Sequence, residues 1–198
     1  MNMHDEIAQA LKSTAYHEAG HIVAAVLQGM PIQHGGIHID MEGSGVAYYC
    51  HRLPGVPGHS ESDRDEREKT IVALYAGRIA QFKSFPNIDC RDYPDSWKSD
   101  WETAAELLHE LLSFAQGASE MSLYARAQQL VLNHWPTIER LALMLWEKPI
   151  LPMQQSEFQK GWSHGREKQE KYMSRSEIQS FFEILNIPCP LWEKYRAQ

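Results

Sequence analysis

Five consecutive residues, His17-Glu18-Ala19-Gly20-His21, carry the residue types of a metal-assisted hydrolase. On an α-helix, positions i and i+4 lie one above the other, so imidazoles at 17 and 21 reach a single ion. Glu18, offset by one position, falls beside that ion, where a carboxylate accepts a proton from an attacking water. With 10 histidines in 198 residues, the competing picture is an amphipathic helix that merely shows two histidines to solvent. The flanks argue against it. No proline interrupts residues 10–27, and Gly29 with Pro31 supplies a stop. Ile7, Leu11, Tyr16, Ala19, Val23 and Leu27 recur at helical spacing. A helix buried on that pattern holds its histidines near a core or cleft, where imidazoles need partners.

A catalytic zinc takes three protein ligands and keeps a fourth position open, so His17 and His21 require one more from elsewhere in the chain. Residues 23–31 contain no His, Asp or Glu, which removes the common downstream patterns. The acidic residues Asp89, Asp92, Asp95, Asp100, Glu102 and Glu106 cluster around the approach to a later helix. Asp100 is best placed among them if that helix begins near Ser99, because a helix start fixes its direction. Its bland role is a charge favourable to the helix dipole.

The elements that must position these groups follow from pattern and punctuation. Residues 37–41 and 46–50 read as two short strands joined by Glu42-Gly43-Ser44-Gly45. After a Pro- and Gly-rich loop at 53–59, Ser60 to Asp63 offers caps for a second helix carrying Ile71, Leu74, Tyr75, Ile79 and Phe82. Residues 84–98 read as loop. A third helix from about Ser99 carries Trp101, Ala104, Leu108, Leu111 and Leu112 and is closed by Gly117; a fourth spans about 120–134; Pro136 opens a fifth. Residues 149–173, including Gly161-Trp162-Ser163-His164-Gly165, read as polar loop, and Ser174-Arg175-Ser176-Glu177 has capping-box spacing ahead of a last helix.

Composition bounds the class. The net charge of −7 and the absence of a basic run give nothing to attract nucleic acid or an anionic membrane. Apolar runs of about six residues fall far short of the roughly twenty that span a bilayer, and no signal-peptide pattern opens the sequence, so a cytoplasmic location and no membrane span are expected. Cys50, Cys90 and Cys189 are odd in number and widely spaced, which favours reduced thiols.

Residues 14–21, Thr-Ala-Tyr-His-Glu-Ala-Gly-His, resemble the peptidase-domain signature of FtsH, the membrane-anchored AAA+ zinc metalloprotease family. Three further segments agree in order: 73–80 with its Ala-Gly-Arg helix, 99–104 with its Ser-Asp helix start, and 133–151 with its closing helical segment. The resemblance implies a third zinc ligand at Asp100. The chain departs from the family at 95–98, at Gln81 where a glutamate is usual, and in an added stretch near 152–173; no phosphate-binding loop or membrane span occurs in these residues. Those departures bear on substrate access and on the family's hexameric packing.

The expected architecture is therefore mainly helical α+β, an FtsH-peptidase-like domain at 1–151 with a small N-terminal sheet, and a polar insertion plus C-terminal helix at 152–198 packed on it. The expected activity is zinc endopeptidase: Zn²⁺ on His17, His21 and Asp100, with Glu18 as general base. Its substrates are peptides or unfolded proteins. Strand 46–50 is the candidate edge for an extended peptide, and Tyr48, Tyr49 and His51 are the available oxyanion donors by type. Candidate partners are a separate ATPase chain and further copies of this one. The alternative is a metal-bearing interaction module that keeps the fold without cleaving.

Overall fold

A computed structural model of the chain describes residues 3–51, 55, 58, 60–86, 94–114, 117–152 and 169–190. Among the described residues, six helices and four strands make a mainly helical α+β fold. Helix α1, Met3–Leu27, is its axis. Every residue from 13 to 26 is buried, so this stretch of α1 is enclosed on all sides. Gly29, at φ 79°, ends the run in a conformation that suits glycine.

Helix α2, Glu61–Ser84, opens on a capping box in which Ser60 and Asp63 satisfy each other's backbone N–H groups. It crosses α1 closely because both helices bring a glycine to the contact. A Cβ on Gly20 would lie 2.7 Å from the Ala76 carbonyl and 2.9 Å from Gly77 Cα. Helices α3, Pro94–Leu111, and α4, Glu120–Asn133, pack on the other side of α2. Helix α5, Trp135–Trp146, returns to α1. Two apolar clusters result. Ile22, Val23, Ile37, Ile39, Ile138, Leu141 and Phe182 fill one around α1. Ile71, Leu74, Leu107, Leu111, Leu123 and Ala127 fill the other between α2, α3 and α4.

The antiparallel sheet has the order β2-β1-β4-β3, from β1, Ile32–Asp40, β2, Gly45–Tyr49, β3, Leu151–Pro152, and β4, Gln169–Met173. It is therefore not built from the N-terminal hairpin alone. β4 pairs with β1 (Ile37 with Met173, Asp40 with Glu170), and helix α6, Arg175–Ile184, follows it through the Ser174–Glu177 capping box.

Three sequence expectations are corrected. Residues 151–152 and 169–173 are strand rather than polar loop, because Glu170 and Lys171 are buried and partnered. Glu170 meets His38 at 2.7 Å, and Lys171 Nζ donates to the Trp146 and Lys148 carbonyls at 2.6 and 2.8 Å. β1 starts at Ile32, five residues earlier than its apolar pattern, with a register irregularity between Ile32 and Ile37 that takes up Gly35 and Gly36. α3 starts at Pro94, since proline's fixed φ suits a first helical turn as well as a loop, and it ends at Leu111, ahead of Gly117. Asp100 thus sits in the second turn of α3, and its direction is not fixed by a helix start. The loop readings at 53–54, 56–57, 59 and 87–93, and the 153–168 stretch with His164, lie outside the described residues.

Candidate metal centre

His17 and His21 stand one turn apart on α1, and Asp100 meets them from α3. Their ligand atoms form a nearly equilateral triangle: His17 Nε2 to His21 Nε2, 2.9 Å; His17 Nε2 to Asp100 Oδ2, 2.9 Å; His21 Nε2 to Asp100 Oδ2, 3.0 Å. Among the described residues these three form a group able to hold a metal ion. The histidines are 2% and 4% exposed, whereas the Asp100 side chain, 23% exposed, keeps an open side toward solvent.

The other nitrogen of each ring settles which atoms are free. His21 Nδ1–H donates to the Ala73 carbonyl at 2.8 Å, and His17 Nδ1–H to Gln81 Oε1 at 3.2 Å. A neutral imidazole that donates from Nδ1 carries its lone pair on Nε2. Two lone pairs and a carboxylate oxygen therefore converge with nothing positive between them, an arrangement that calls for a cation. Two imidazoles and one carboxylate form the donor set of a divalent zinc-type ion, so the residues fit that ion.

Without an ion, a proton takes the cation's place. Burial pulls the His21 imidazole down, but the Asp100 charge and hydrogen bond outweigh it and push His21 up to about 9. Burial raises Asp100, but the two imidazoles outweigh it and hold its carboxyl well below the usual range. Glu18 is 2% exposed, and burial is the chief reason its carboxyl is pushed up, with the histidines opposing and Asp100 reinforcing. A carboxylate raised toward neutrality is tuned to take up a proton and hand it on.

Backbone approaches that only glycine permits frame the cluster. A Cβ on Gly77 would lie 2.4 Å from His21 Cε1 and 2.5 Å from its Nε2, so α2 is a flat floor under that ring. A Cβ on Gly45 would lie 2.4 Å from Glu18 Oε1. Thr14 donates to the Gly43 carbonyl at 2.7 Å and pins the β1–β2 turn one helical turn before Glu18. β2 consequently runs beside the motif from Glu18 at its Gly45 end to His21 at its Tyr49 end. It is an outer strand, with no described strand on its far side.

Among the acidic candidates, Asp100 reaches the histidines. Glu102 and Glu106 are exposed on the outside of α3, with Glu102 3.9 Å from Lys98. Asp95 lies in α3, but its side chain, like Asp89 and Asp92, is outside the described residues. Of the three oxyanion candidates, Tyr49 lies against the site. It is 3% exposed, its ring centroid is 6.2 Å from that of His21, and burial followed by the Asp100 and Glu18 charges pushes its phenol up. Tyr48 instead packs edge-on against His38, and His51 leans on Tyr49 and its carbonyl.

Sequence reasoning missed the roles of Ala73, Gly77 and Gln81, which recur at i, i+4 and i+8 along one side of α2. That spacing was a signal, but its meaning depends on α1 lying across it. Compared with family models and with curated proteins, the chain matches none.

Proposed function

We propose that this chain is a zinc-dependent metalloendopeptidase with an FtsH-peptidase-like fold, acting on peptides or unfolded protein segments. The observation that carries the reading is the convergence of His17 Nε2, His21 Nε2 and Asp100 Oδ2 beside a buried carboxylate, Glu18, that is not one of the three. A purely structural zinc closes its shell with four protein ligands and needs no such base. When bound, zinc supplies Lewis acidity that makes water easier to deprotonate and a carbonyl easier to attack.

The chain's own residues supply the rest. Glu18 accepts the proton of the attacking water and returns it to the leaving amine. The outer edge of β2 offers backbone N–H and C=O groups to an extended peptide, which brings its scissile bond alongside the motif. Tyr49, by its place beside His21, is the donor for negative charge developing on the carbonyl oxygen. Ala73 and Gln81 hold the imidazoles in the tautomer that leaves Nε2 free.

The test is cleavage of a disordered substrate such as casein by zinc-loaded protein, after removal of zinc by a chelator, and after its return. Activity lost on removal and regained on return is expected. About one zinc per chain should accompany it, most of it lost in His17→Ala, His21→Ala and Asp100→Ala. Zinc at full content with no cleavage of any unfolded substrate would favour the non-catalytic interaction module.

A further inference from the structure

Ser13, Gln81 and His17 form a buried chain of side chains: Gln81 Nε2 donates to Ser13 Oγ at 3.0 Å, and Gln81 Oε1 accepts from His17 Nδ1 at 3.2 Å. They are 0%, 6% and 2% exposed, so neither end is satisfied by bulk water. The two metal-facing imidazoles are thereby held differently. His21 leans on a backbone carbonyl, which only accepts. His17 leans on a side-chain amide, which carries a donor and an acceptor and could present either.

We propose that Gln81 is the positioning residue that makes His17 a ligand, with Ser13 holding the far end of the amide in place. An amide oxygen toward His17 requires the ring proton on Nδ1 and leaves the Nε2 lone pair to a divalent cation shared with His21 and Asp100. An amide nitrogen toward His17 would put the proton on Nε2, and the ring would donate to Asp100 instead of binding metal. This inference rests on the zinc reading of the site. Gln81 touches neither substrate nor cation and acts only through His17.

The experiment measures zinc affinity, by competition with a chromophoric chelator, for wild type, Gln81→Leu, Gln81→Glu and Ser13→Ala. Gln81→Leu removes the acceptor and should weaken binding by roughly 10- to 100-fold, the usual scale for loss of an outer partner. Gln81→Glu keeps an acceptor, which cannot turn a donor toward the ring, and should bind at least as tightly as wild type. A merely structural role predicts the opposite, since a new buried charge would disturb packing as much as leucine does. Ser13→Ala should weaken binding by less than Gln81→Leu. In the zinc-loaded proteins the His17 Nδ1–H proton should resist solvent exchange in wild type and Gln81→Glu and lose that protection in Gln81→Leu.

Wild-type affinity in Gln81→Leu, or a loss in Gln81→Glu as large as that in Gln81→Leu, would overturn the assignment of Gln81. Unchanged affinity in Ser13→Ala would overturn the part given to Ser13. Zinc binding without peptide cleavage would defeat the peptidase reading and leave this one standing, whereas a wild type that takes up no zinc would end both.

Discussion

Tyr49 and the His21–Asp100 pair give tests at the level of single groups. If the Tyr49 hydroxyl stabilises the developing oxyanion, Tyr49→Phe should keep zinc and fold while lowering kcat by roughly 10²-fold with little change in KM. An unchanged kcat would return the oxyanion to another donor. In chelator-stripped protein, His21 stays charged in the folded state to about pH 9, against ~6.5 for an unperturbed imidazole. A raised folded pKa stabilises the fold fully below the unfolded value, and that contribution is lost as pH rises through the folded value. Asp100, lowered by its partners, contributes above ~3.9 and loses that contribution as the solution becomes more acidic. Denaturation midpoints of the stripped protein should therefore decline from about pH 6.5 to 9, and Asp100→Asn should flatten that slope. A wild-type midpoint constant over the range would contradict the pairing.

Helix α2 carries none of the three candidate ligands, yet its face lies against the His17 and His21 rings. Gly77→Ala places a methyl group inside the His21 ring, which cannot retreat while Nδ1 holds the Ala73 carbonyl. That variant should lose most of its zinc without any ligand being changed, and about 1–3 kcal/mol of stability with it. Gly45→Ala presses on Glu18 instead. It should retain zinc and lose cleavage, and equal zinc loss in both variants would refute the division. The pairing of His17 with His21 and the place of Glu18 beside them were legible in the sequence because i, i+1 and i+4 on one helix are local relations, as are the caps at Ser60 and Ser174. Asp100 was not fixed by spacing: the start of α3 was misread at Pro94, and a resemblance to known peptidases pointed to the residue. β4 was hidden because Glu170 and Lys171 are satisfied by His38 and the end of α5, partners far away in sequence. The floor at Gly77 was hidden for the same reason, since a close approach of helices leaves no periodicity.

Across the whole molecule, the three candidate ligands join two cores. His17 and His21 ride on the helix at the centre of one, and Asp100 on a helix of the other. A cation held between them should tie the halves together, raising Tm with zinc concentration as ligand-linked stability requires. No helix among the described residues is long and apolar enough to cross a membrane. The 198 residues also contain no Gly-x-x-x-x-Gly-Lys-Ser/Thr loop to bind a nucleotide's phosphates. Extracting a stable domain costs about 5–15 kcal/mol, which zinc chemistry does not supply. This chain should therefore cleave disordered substrates equally with and without ATP and leave tightly folded ones intact; stimulation by ATP without any partner would contradict that.

The most direct measurement compares zinc content and peptide hydrolysis in wild type and Glu18→Gln. Glu18 is the one group in the cluster assigned to protons rather than to metal, and glutamine preserves its shape. The two proteins should hold equal zinc and the same fold, with hydrolysis reduced by about 10²-fold or more in Glu18→Gln. Equal hydrolysis at equal zinc would contradict that role.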